Sequence, residues 1–186
     1  MKKIAYIVTL IFLLGCKKDN TIKIGEYLFE TPNWWADIEV PIPESIKSED
    51  EAAKYIEVKY GAKDGTKDTW KYALKGWAIF CQRNNFLPIY IGHCFVKGGE
   101  LENAAKIYTD LYFLANTDKK NESWFKCYLA YSAGEIYKEL KDLSSAKKWY
   151  SYSAEVKYSN SDENPIKYYS NLSRDKLNEL TNSTTH

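Results

Sequence analysis

Two stretches of the chain carry matching residues at one constant offset, and that repetition restricts the architecture more than any other feature. Gly92, Phe95, Lys97, Glu100, Leu101, Ala104, Lys106 and Tyr108 are answered by Gly134, Tyr137, Glu139, Asp142, Leu143, Ala146, Lys148 and Tyr150, an offset of 42 residues (134 − 92). The spacing within each stretch is that of two amphipathic helices joined by a short turn. A glycine at mid-helix and an alanine on the facing helix let the two elements approach closely, and the aromatics fill the space around the crossing. Such a pair leaves an apolar flank that only a further pair covers, so the units stack.

The rest of the chain from Ser48 onward fits the same scheme. Ser48-Glu49-Asp50-Glu51 is a capping box that opens a helix carrying Ala52, Ala53, Ile56 and Val58 and ending near Gly61. Lys63-Asp64-Gly65 is a turn. A helix over 67–82 comes next, with Trp70, Leu74, Trp77, Ala78 and Cys81 on one face. Pro88 starts a helix that Gly98-Gly99 ends. Further helices are expected from Leu101 to Asn116, Ser123 to Leu140 and Leu143 to Val156, with a polar loop over 117–121. Asn164-Pro165 reads as N-cap and first residue of a last helix to Leu180, and residues 182–186 as a frayed tail.

Gly134, Tyr137, Asp142-Leu143, Ala146 and Tyr150, with their counterparts from Gly92 to Tyr108, resemble the tetratricopeptide repeat. In that family a Gly, an aromatic three residues on, an acidic residue at the turn, a large apolar residue and an Ala recur in this order. The resemblance covers residues 86–157, about half of the chain after residue 15. It implies an all-α, antiparallel helix-pair solenoid with repeats at 86–116 and 123–157, a degenerate first pair at 48–83 and a capping helix at 165–180. The period here exceeds the family's value of about 34, and the 117–121 loop is expected to hold the excess.

The start of the chain is of a different kind. Met1-Lys2-Lys3, an apolar run from Ile4 to Leu14, and Gly15-Cys16 have the layout of an export signal over residues 1–15, too short for a stable membrane span. Leu13-Leu14-Gly15-Cys16 resembles a bacterial lipobox. That resemblance implies a lipidated Cys16 at the new N-terminus, and so a protein held on a bacterial envelope membrane, with the outer membrane the expected one. Residues 16–47 form the expected linking segment. Ile22, Ile24, Tyr27 and Phe29 suit a short strand, an extended arm or a small hairpin. Pro41 and Pro43 exclude helix and central strand there, and Trp34-Trp35 are the expected anchors against the helical body.

Composition narrows the functional classes. The chain of 186 residues has 26 basic and 25 acidic side chains, and the expected signal removes two lysines and no acid. A near-neutral surface gives no footprint for nucleic acid. Cys81, Cys94 and Cys127 lack metal or redox spacing and are expected as buried thiols, with a Cys94–Cys127 bridge left open. His93 is the one histidine inside the domain, and no catalytic set or cofactor motif accompanies it. The expected function is therefore non-catalytic: a protein or peptide partner bound by an adaptor or scaffold subunit. The alternative is an immunity protein against a toxin delivered to the envelope, and an enzyme using His93 is a weaker third class. In the repeat family the first helix of each pair lines a groove. Carried over by register, the partner-binding residues are Phe86, Ile89, His93, Val96 and Lys97, then Tyr128, Tyr131, Glu135, Lys138 and Glu139.

Overall fold

The computed structural model describes residues 21–61, 68–115, 123–156 and 163–182. The expected signal, Cys16, the turn at Lys63–Gly65, the loop at 117–121 and residues 183–186 of the expected tail lie outside them. Among the described residues, two short strands precede seven α-helices: β1 (Thr21–Ile24), β2 (Tyr27–Glu30), α1 (Glu49–Ile56), α2 (Thr69–Arg83), α3 (Ile89–Gly98), α4 (Leu101–Ala115), α5 (Ser123–Glu139), α6 (Leu143–Glu155) and α7 (Glu163–Asn182). No helix among them is long and apolar enough to cross a membrane.

The strands form an antiparallel hairpin that pairs Ile22 with Phe29 and Ile24 with Tyr27. Its two-residue turn begins at Gly25, whose φ of +59° is open to glycine at little cost. Ile22, Ile24 and Phe29 are buried and join the main core beside Ala78, Ile91, Phe95, Leu111 and Leu129. A 3₁₀ turn over Asn33–Asp37 carries Trp34 and Trp35. Trp34 meets Trp70 edge-on at 5.4 Å, so the tryptophan pair does anchor the N-terminal segment.

Residues 38–46 continue as a strap across α1 and α2, with Val40, Ile42 and Ile46 in a second core beside Ala52, Ile56 and Phe80. Prolines and an extended backbone leave the strap's carbonyls without a sheet partner, and side chains of α1, α2 and the turn after α1 supply the donors. Lys75 Nζ donates to the carbonyls of Trp35 (2.5 Å) and Ile38 (2.6 Å). Arg83 donates to Ile42 (2.7 Å) and Pro43 (2.8 Å). The hydroxyls of Tyr55 and Tyr60 both reach Pro41.

Three sequence expectations need correction. The first helix ends in a π-helical turn over Glu57–Gly61. That turn puts Tyr60 in the core and leaves Val58, expected on the apolar face, 74% exposed. On α2 the fully buried set is Lys75, Gly76, Ala78, Phe80 and Cys81, while Trp70, Leu74 and Trp77 are half-buried. The strap covers a flank that periodicity alone assigns to solvent. The last helix starts at Glu163 and runs to Asn182, so Asn164 lies inside it and not at its cap. Pro165 is then third in the helix, where its missing N–H is one of those that find no intrahelical acceptor.

The two repeated pairs are alike down to their turns. Gly99 takes φ +77° and Lys141 takes φ +63°. Glu100 N donates to Phe95 O and Asp142 N to Tyr137 O, both at 2.9 Å; Ala104 N donates to Glu100 O and Ala146 N to Asp142 O, both at 3.0 Å. From α2 onward each helix packs against the next in sequence, and α5 also packs against α7. Short turns make the partners within each pair antiparallel.

Candidate functional site

Apart from Phe86, the functional residues expected from sequence sit on α3 and α5, and the repeated glycines decide how those helices are backed. A Cβ placed on Gly92 would lie 3.0 Å from the ring of Tyr108, and one on Gly134 would lie 2.6 Å from the ring of Tyr150. The glycines thus make room for a tyrosine ring from the second helix of each pair, and Tyr150 is fully buried there. Its hydroxyl donates a 2.5 Å hydrogen bond to Glu135 Oε1. Burial, and then this bond, raise the Tyr150 pKa above that of an ordinary phenol.

In front of these supports runs a chain of half-buried aromatic rings drawn from four helices. Trp77 of α2 stacks on Tyr90 of α3 at 5.3 Å, and Tyr90 meets the ring of His93 at 5.5 Å. His93 Nε2 is hydrogen-bonded to the Tyr128 hydroxyl of α5 at 3.0 Å. Tyr128 meets Tyr169 of α7 at 5.0 Å, and Tyr131 meets the same ring at 5.6 Å. Tyr168, 60% exposed, closes the row against Tyr169 at 5.1 Å. Spacings of this kind favour tilted and edge-on pairs, which hold each ring in a fixed direction.

The electrostatics of the row are those of neutral groups. Burial lowers the His93 pKa below its ordinary value of 6.5, so the imidazole is uncharged at neutral pH. Burial, followed by the nearby Glu135 carboxylate, pushes the Tyr131 phenol up to about 12. A charged link joins Lys138 to Glu179 of α7 at 3.7 Å, between exposed groups.

The expected residues therefore divide. Tyr128, Tyr131, Glu135 and Lys138 each meet α6 or α7 of the same chain, and His93 is joined to them through Tyr128. Ile89 and Val96 are half-buried against the main core. Phe86 is 44% exposed, precedes α3 and meets Phe80, which in turn meets Trp77 at the start of the row. Lys97 and Glu139 are exposed. Sequence reasoning did not assign Trp77, Tyr90, Tyr168 or Tyr169 to this surface. The adjacent Tyr168-Tyr169 pair was the available signal, but a helix read only as a cap hides it.

Cys81, Cys94 and Cys127 are separate buried thiols, so the bridge left open between Cys94 and Cys127 is not formed. Burial raises all three pKa values, that of Cys81 to about 12, which keeps them protonated and poorly nucleophilic. Cys127 Sγ donates to the Ser153 carbonyl at 3.2 Å. Among the described residues no group of three or more His, Cys, Asp or Glu side chains is placed to hold a metal ion. No known protein family, curated protein or solved structure matches this chain.

Proposed function

We propose that this chain is a lipid-anchored, non-catalytic envelope protein whose stacked, tetratricopeptide-like helix pairs hold a protein partner. The observation that carries the reading is the aromatic row from Trp77 to Tyr168, which crosses α2, α3, α5 and α7 at the surface. Tyr and Trp rings give large contact area for little lost side-chain entropy, and they dominate interfaces for that reason. A row of rings that crosses four helices suits an amphipathic helix or an extended segment laid across them. The neutral His93, tied to Tyr128, and the protonated Cys94 beside it support recognition over acid–base or nucleophilic chemistry. The identical turns after α3 and α5 support the repeat reading.

The test is capture from solubilised envelopes by tagged wild type beside a Tyr168→Ser, Lys97→Glu variant. Both positions are exposed, so the variant keeps its fold. A stoichiometric partner reduced at least about tenfold, or 1.4 kcal/mol, by the variant is the expected result. Equal recovery from both would move the binding surface elsewhere. The anchor is tested separately: Cys16→Ala should move the protein from the membrane fraction to the soluble one, and unchanged fractionation refutes lipidation.

A further inference from the structure

A second apolar surface lies on the hairpin and α4, outside the aromatic row. Leu28 is 66% exposed and Tyr27 is 48% exposed on β2, and Phe113 is 56% exposed on α4. With Ile107, Lys106 and Asp110 they border a hollow of about 290 Å³ between strand and helix. Three large apolar side chains gathered at one place mark a contact surface on a protein this polar.

We propose that this patch rests on the bilayer that holds the lipid anchor and sets the orientation of the helical body over the membrane. The proposal rests on the reading of Cys16 as lipidated. Four residues lie between Cys16 and Thr21, the first residue of β1, and the five steps from one to the other reach roughly 18 Å at most. The strand adds roughly 10 Å to the turn. The patch is thus tethered within a short reach of one surface, and that surface is presented to it at high effective concentration. No soluble partner has that advantage.

The charges around the patch define the mode of contact. Lys23 and Lys106 are met by Glu26, Glu30 and Asp110, and Lys106 is already paired with Asp110 at 3.1 Å. Among the described residues around the patch there is no excess of positive charge to draw anionic lipid. Contact is instead apolar: Leu28 and Phe113 enter the boundary of headgroups and acyl chains, and Tyr27 sits at headgroup level with its hydroxyl in water. It is therefore insensitive to salt and to anionic lipid content.

The experiment reconstitutes the full membrane-extracted protein in phosphatidylcholine vesicles and follows flotation and amide hydrogen exchange. The reference is the Cys16→Ala form free in solution. The expected result is exchange at least about fivefold slower over residues 26–30 and 110–114 on vesicles, at low and high salt alike. A Leu28→Asp, Phe113→Asp variant, changed only at exposed positions, should still float and lose the protection. Flotation with unchanged exchange at the patch overturns the proposal and leaves the anchor standing. Protection around the exposed Val58 in place of the patch puts the bilayer against another face and also overturns it. Protection that requires other envelope proteins in the vesicles assigns the patch to a protein and overturns it too. If Cys16→Ala floats as well as wild type, the anchor reading fails. The patch is then still decided, because the two aspartates must release that form if the contact is real.

Discussion

Gly134 and Lys141 lie seven residues apart and carry opposite predictions. Alanine is ordinarily worth about 1 kcal/mol more than glycine inside a helix. At Gly134 the added Cβ would stand 2.6 Å from the buried ring of Tyr150, so Gly134→Ala should destabilise by about 1–3 kcal/mol. Urea unfolding checks this, and a gain in stability would show that the tyrosine can step aside. Lys141 holds φ +63° at the position where the matching turn has Gly99. A side chain in that region costs about 1–2 kcal/mol, partly offset because glycine gains freedom when unfolded. Lys141→Gly should therefore stabilise by about 0.5–1 kcal/mol, read as a shift of the urea midpoint at unchanged slope.

Among the elements, the strap over residues 38–46 shows what a linear reading reaches and what it misses. Two prolines and alternating apolar residues announce an extended segment, and the capping box at Ser48 marks where it ends; both are local signals. What fastens it is not local. Lys75 meets carbonyls 37 and 40 residues earlier in the chain, and Arg83 meets others 40 and 41 residues earlier. A lysine on a helix face is ordinarily read as solvated, and nothing in its neighbours indicates a buried task. The same holds at the aromatic row. The repeat register places His93 and Tyr128 on first helices, but the meeting of Tyr128 with Tyr169 depends on how α5 and α7 pack. Lys75→Met keeps the length of the side chain and removes the donor. It should speed limited proteolysis within residues 36–46 while helix content stays at the wild-type value. Unchanged cleavage would mean that Val40, Ile42 and Ile46 alone hold the strap.

At the scale of the molecule, α7 closes the end of the stack. Ile166, Ser170, Ser173 and Leu180 are buried on it, the Ile166 carbonyl takes a bond from Cys127, and Tyr169 covers Tyr128 and Tyr131. A chain ending at Val156 would open that flank of α5 and α6 to water. Such a chain should bind a hydrophobic dye and unfold at lower urea than the full protein. Unfolding at the same midpoint would make α7 an appendage, not part of the cooperative unit. The three cysteines add a consequence of another kind. Each is enclosed on a different helix, so the folded helices shield all three from an oxidant. A newly made chain, not yet folded, offers all three, with any pairing among them a mistake the fold cannot accept. In an oxidising compartment the yield of this protein is then set by a race, in which the helices must close over their thiols before a disulfide-forming enzyme arrives.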